Sequence, residues 1–151
     1  MQQNPARKLG KQLSSQGTQE DVVSRVVGIG GVFIKAKDPQ ALRAWYRNHL
    51  GMPIEEWGGM VFFWNRQDGP GEKGTTTWSI FDESAEYFGQ STSRCMINYV
   101  VNDLDAVLES LRAEGCNVDP KIEESEYGRF GWVMDPEGNR VELWESPDRK
   151  P

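Results

Sequence analysis

The sequence is poor in the side chains that carry most metal and nucleophilic chemistry. It has one histidine, His49, and two cysteines, Cys95 and Cys116, in 151 residues. One histidine cannot supply a multi-histidine metal site, and a Ser/His/Asp triad would need His49 itself in the cleft. Two cysteines make no disulfide framework. Long apolar runs are missing too. The longest, around Val26 to Ile34, is far too short to cross a membrane, and the first residues have no apolar core of a secretory signal. A soluble, cytoplasmic protein is the expectation. Positive charge is short as well: 17 Lys and Arg face 23 Asp and Glu, for a net charge of -6. The stretch up to Glu20 is net basic through Arg7, Lys8 and Lys11, so the acid excess lies in the body of the chain. An acidic body repels phosphates and argues against nucleic acid as a partner. No glycine loop cradles a phosphate either. Gly28-Ile29-Gly30-Gly31 falls within a strand pattern with no helix start directly after it.

What is present is a core. The chain is 37% hydrophobic and 11% aromatic, with six tryptophans, which suits one globular domain or two small repeated modules. Residues 1–23, rich in Gln, Ser, Gly and Lys without a period, read as a flexible tail, and residues 147–151 as a short C-terminal one. Between them one pattern occurs twice. Val26 to Ala36 alternates as a strand. Asp38 caps a helix with Pro39 in its first turn, Leu42, Trp45, Tyr46 and His49 form its apolar face, and Gly51 ends it. Short strands are expected at Ile54 to Trp57, Met60 to Asn65 and Thr75 to Phe81, with an exposed loop from Arg66 to Gly74. The pattern restarts at Cys95 to Val101. Asp103 caps a second helix with face Leu104, Val107, Leu108 and Leu111, and Gly115 ends it. Strands around Asn117 to Lys121, Arg129 to Met134 and Arg140 to Trp144 follow.

Setting Asp38 on Asp103 brings Val32 onto Ile97, Ile34 onto Tyr99 and Ala36 onto Val101. The fold expected is α+β: two tandem βαβββ modules, about 24–88 and 93–146, forming a curved mixed sheet around a cleft. Each helix covers one sheet face, so the opposite faces enclose the cleft. Parity sends Gly31 and Phe33, Met96, Asn98 and Val100, and Arg140, Glu142 and Trp144 into it. Trp78, Phe63 and Trp132 lie on strands whose parity is open. By the same alternation Cys95 faces the helix as an inert buried thiol. His49, on the first helix outside the cleft, is a packing or capping residue.

The motifs Ile29-Gly30-Gly31-Val32-Phe33-Ile34-Lys35-Ala36-Lys37-Asp38, Val101-Asn102-Asp103-Leu104-Asp105-Ala106 and Asp135-Pro136-Glu137-Gly138-Asn139-Arg140-Val141-Glu142-Leu143-Trp144 resemble the vicinal oxygen chelate superfamily. That group includes glyoxalase I, bleomycin-resistance proteins and extradiol dioxygenases. The resemblance spans about residues 24 to 146. It implies a divalent metal held by a histidine seven residues before each helix-capping Asp, and by late-strand residues that include a glutamate. Glu142 matches the glutamate. The histidine positions are Gly31 and Met96, and Ser79 takes the remaining one. Glycine has no donor, a thioether suits soft ions, and serine is a weak ligand.

A protein without the usual metal centre is therefore expected. It would bind a small, partly aromatic or apolar molecule around Gly31, Phe33, Ser79, Met96, Asn98, Arg140, Glu142 and Trp144, as a homodimer by analogy with the family. A lyase, isomerase or dioxygenase with an atypical site through Glu142 is one alternative; a structural or regulatory domain with a filled cleft is another. Glu142 itself has three readings: a structural pair with Arg140 or backbone, an anchor for a cationic or hydrogen-bonding ligand, or a catalytic general base.

Overall fold

A computed structural model describes residues 25–65 and 73–149. The expected N-terminal tail and most of the Arg66 to Gly74 loop lie outside these residues. Strand β1 (Val26–Ala36) leads to helix α1 (Pro39–Leu50), then β2 (Gly59–Asn65) and β3 (Lys73–Asp82). A short 3-10 turn, Glu86–Phe88, links these to the second half: β4 (Cys95–Val101), α2 (Leu104–Ala113), β5 (Asn117–Val118), β6 (Glu123–Ser125), β7 (Gly128–Met134) and β8 (Arg140–Glu145). The described residues end on a 3-10 turn at Pro147–Arg149, within the stretch expected as a C-terminal tail.

The strands form one mixed, curled sheet in the order β2-β3-β1-β4-β8-β7-β5, with β6 paired to β7. This is the expected pair of modules, β2-β3-β1 and β4-β8-β7, joined by antiparallel β1 and β4. Val32 and Ile97, equivalent by the repeat, are also direct partners across that seam. Gly31 pairs with Asn98 and Phe33 with Met96, the reciprocal relation a local two-fold axis requires. Each half repeats one parallel contact. Phe33 lies opposite Ser79 in the first, and Asn98 opposite Glu142 in the second. Ser79 and Glu142 thus hold equivalent positions in the two halves.

Both helices begin as the sequence indicates. The Asp38 carboxylate accepts from Ala41 N at 2.9 Å, and that of Asp103 from Ala106 N at 3.0 Å. Each occupies an N–H that the helix cannot satisfy internally. Gly51 closes α1 in the left-handed conformation, φ 63°, which glycine adopts without a Cβ clash. Each helix seals its own core on the outer face. Leu42 and Tyr46 pack over Ala36, Ile54, Met60, Trp78 and Ile80. Leu104, Val107 and Leu108 pack with Val101 and Leu143.

Three local expectations need correction. Ile54 to Trp57 is a loop. Gly58 N donates to Glu55 O at 3.0 Å, and the Ile54 carbonyl accepts from the Arg47 guanidinium at 2.9 Å, so its polar backbone is satisfied without a ladder. The strand after α2 stops at Val118, ahead of Pro120, which cannot donate to a ladder, and the chain re-enters the sheet at Glu123. On α1, Trp45 is about half exposed and His49 is exposed and leans on Trp45 at 5.2 Å. The covered stripe runs through Leu42 and Tyr46, flanked by Arg43 and Arg47, which reach carbonyls of Ile80 and Ile54.

Candidate functional site

The inner face of the curled sheet carries a third apolar cluster. Phe33, Phe88, Met96 and Trp132 are buried there, with Phe81, Tyr87 and Phe130 packed against them. Above it opens a cavity of about 980 Å³, large enough to enclose a drug-sized molecule. Phe33, Phe81, Tyr87, Phe130 and Trp144 contribute aromatic wall. Two parallel ring pairs stand in it, Phe81 with Tyr87 and Phe130 with Trp144. Trp57 and Tyr127, both largely exposed, line it as well.

Glu142 sits in the floor with no exposed surface. Strand pairing brings it two of its partners. Asn98, opposite it on β4, donates from Nδ2 to Oε1 at 2.6 Å. Trp132, opposite it on β7, donates from Nε1 to Oε2 at 2.9 Å. The third is Tyr87, from the turn between the modules, whose hydroxyl donates to Oε2. Burial pushes the Glu142 carboxyl above its ordinary range, against the opposing pull of the Tyr87, Asn98 and Trp132 donors and the nearby Arg140 charge. Burial, followed by the negative field of Glu142, also pushes the Tyr87 hydroxyl upward. On the far side of Asn98, Oδ1 is buried without a partner among the described residues.

Of the expected cleft residues, Phe33, Ser79, Asn98, Glu142 and Trp144 line the cavity together. Three do not. Met96 is buried in the cluster below. Gly31 is displaced by a β-bulge between Ile29 and Gly31, and its neighbour Gly30 lines the cavity instead. A Cβ at Gly30 would lie 2.4 Å from Asn98 Oδ1 and 2.7 Å from the Trp144 ring, so only glycine permits this approach. Arg140 leaves the sheet on the Glu142 side, but its guanidinium lies over the Trp132 ring at 4.9 Å and reaches Asp119 at 3.1 Å. In place of the Glu142–Arg140 or Glu142–backbone pair, one of the three readings of this residue, stand three side-chain donors.

Tyr87 and Trp132 went unassigned in the sequence. Trp132 was within reach of hairpin counting, since the Asp135 turn sets Met134 against Arg140 and hence Trp132 against Glu142. Tyr87 lies in a linker with no period to betray it. Of the other two open aromatics, Trp78 faces α1, packing on Tyr46 at 4.9 Å, and Phe63 is exposed. Cys95 is half-buried, with its thiol pushed up by burial, and Cys116 is exposed.

The model of a family described as glyoxalase-like domain matches residues 31–144. The chain belongs to the glyoxalase-like family. Solved structures of similar fold include methylmalonyl-CoA epimerase from Mycobacterium tuberculosis. It is 20% identical, with 82% of this chain and 90% of that chain covered and a TM-score of 0.55. A methylmalonyl-CoA epimerase in complex with methylmalonyl-CoA and NH4+ is 19% identical over 83% and 99% of the two chains, with a TM-score of 0.60. A glyoxalase/bleomycin resistance protein/dioxygenase superfamily member from Vibrio splendidus 12B01 is 10% identical over 79% and 98%, with a TM-score of 0.50. No curated protein sequence matches significantly. Among the described residues no helix is long and apolar enough to cross a membrane.

The metal that the superfamily resemblance implies does not fit these side chains. Gly31 has no donor, the Met96 thioether is in the core, Ser79 offers a hydroxyl, and both Glu142 oxygens already accept from protein donors. A divalent zinc or iron centre ordinarily takes about three strong protein ligands. Among the described residues no group of three or more His, Cys, Asp or Glu side chains is placed to hold one.

Proposed function

We propose that this glyoxalase-like protein binds a small, partly aromatic or apolar molecule in the cavity above Glu142, without the divalent metal centre of its superfamily. The observation that carries this reading is the state of the Glu142 carboxylate. Asn98 occupies one oxygen, Trp132 and Tyr87 the other. The glutamate thus serves as the polar keystone of a floor beneath aromatic walls. Such a floor fixes ring positions and leaves a preformed apolar space, the usual character of a small-molecule site.

The test has two readouts. Metal analysis of protein purified without chelator is expected to find no stoichiometric divalent ion. A stoichiometric ion lost in Glu142→Gln would overturn the reading. A thermal-shift screen of small aromatic compounds is expected to yield ligands that raise the melting temperature of the native protein, by mass action on the folded state. Trp144→Ala, which opens the wall at a half-buried position, should abolish those shifts while retaining a cooperative melt. If no compound shifts the native protein, the cleft is a filled structural one and the proposal fails.

A further inference from the structure

The hydroxyls of β3 are divided between its two faces. Thr76, on the outer face, is satisfied: its Oγ1 donates to Ile29 O at 2.7 Å and accepts from Trp64 Nε1 at 2.9 Å. Thr75, Thr77 and Ser79 point the other way, and all three line the cavity. Their hydroxyls have no hydrogen-bond partner among the described residues. Ser79 is only 6% exposed, and what surface it keeps opens on the cavity.

The register explains this. Ser79 lies between Phe33 on β1 and Gly59 on β2, Thr77 between Gly31 and Val61, and Thr75 faces Phe63. Cross-strand neighbours are the side chains within reach on a sheet face, and none of these carries a polar atom. The equivalent strand of the second module is built the other way. Glu142, which holds the position of Ser79, stands between Asn98 and Trp132 and bonds both. One half of the inner surface is closed on itself, and the other carries an open row of hydroxyls.

Successive members of that row stand about 7 Å apart along the strand, and each can both donate and accept. From the second module the cavity receives Phe130 and Trp144, whose indole N–H is spent on Tyr127 O at 2.7 Å. The charged side chains of the wall are of both signs and bonded within the protein. Arg43 donates to Ile80 O, Glu55 accepts from Trp57 Nε1, and Asp82 accepts from Ser84.

We infer that Thr75, Thr77 and Ser79 are the specificity wall of the cavity. The ligand they select is a ring system with hydroxyl or carbonyl groups along one edge and bare carbon along the other, chosen by hydrogen bonding and not by charge. The inference rests on the binding reading above and adds which groups of the ligand are read, and by which strand.

Two naphthalenes of one shape test it: the 2,7-diol, with both hydroxyls on one edge, and the 2,7-dimethyl hydrocarbon. In equilibrium dialysis the native protein is expected to bind the diol about tenfold more tightly, although the hydrocarbon is the more apolar, and to keep that preference in high salt. The triple variant Thr75→Val, Thr77→Val and Ser79→Ala should lose the preference while binding the hydrocarbon at least as well. Its melting temperature should not fall, because hydroxyls without protein partners are being exchanged for methyl groups or removed. Thr76→Val, on the opposite face, should keep the preference. Equal or tighter binding of the hydrocarbon, a preference that survives the triple substitution, or a melting temperature lowered by it would overturn the inference while the binding reading stands. The same holds if neither naphthalene binds but the aromatic screen yields other ligands. If the screen yields none, the binding reading falls and this inference with it.

Discussion

Glu142 is a carboxylate with no solvent contact, so its stability contribution depends on protonation. An isolated buried charge is costly, and three donors only partly offset that cost. Because burial prevails, the folded-state pKa lies above the unfolded one. The native state then holds a proton that the unfolded state has released. The stabilisation is complete below the unfolded pKa and is lost as pH rises through the raised native value. The native protein is therefore expected to lose stability across that window, and Glu142→Gln to be flat through it. Thermal melts of both proteins from acid to neutral pH check this. A difference between them that does not vary with pH would mean the three donors cancel burial, and a native protein that gains on Glu142→Gln as pH rises would mean they outweigh it. The sequence marks Glu142 as special, since a carboxylate stands between Val141 and Leu143 on an apolar strand. It does not show the donors, because Asn98 and Tyr87 are 44 and 55 residues away.

The elements were legible where local chemistry decides them. Asp38 and Asp103 announce two helices, and each carboxylate accepts from the N–H three residues on. They are not equally exposed to loss. Leu104 N, at the start of α2, also donates to Glu145 Oε2 at 2.7 Å, so a second carboxylate supports that helix end. Asp38→Ala is expected to cost about 1 kcal/mol, and Asp103→Ala distinctly less. Urea denaturation of the two variants measures this order, and a larger cost for Asp103→Ala would contradict it. The Ile54 to Trp57 expectation failed for a reason outside local pattern. Four residues with apolar ends resemble a short strand, but Arg47 from α1 takes the Ile54 carbonyl, a contact that spacing does not reveal.

At the scale of the molecule, two sequence repeats build one cooperative body. The inner cluster draws Phe33 from the first module, Phe88 from the linker, and Met96 and Trp132 from the second. Neither module can bury its inner face alone, and the β1–β4 seam joins both halves into a single sheet. A single calorimetric transition is expected, with calorimetric and van't Hoff enthalpies in agreement. Two resolved transitions would show that the modules fold independently. The floor at Glu142 spans the same division, since Tyr87 reaches it from the linker between the modules.

The sequence alone determined the repeat, both helix starts, the parity that turns Asn98 and Glu142 inward, and the residue types at the expected metal positions. Each of these follows from short-range rules: capping within three residues, alternation along a strand, and a constant offset between copies. The tertiary structure decided what Glu142 is bonded to, that Gly30 rather than Gly31 opens the cavity, and that Arg140 turns to Asp119. Those outcomes depend on a β-bulge, a linker aromatic and the curl of the sheet. They are set by contacts between residues tens of positions apart, which no local period encodes.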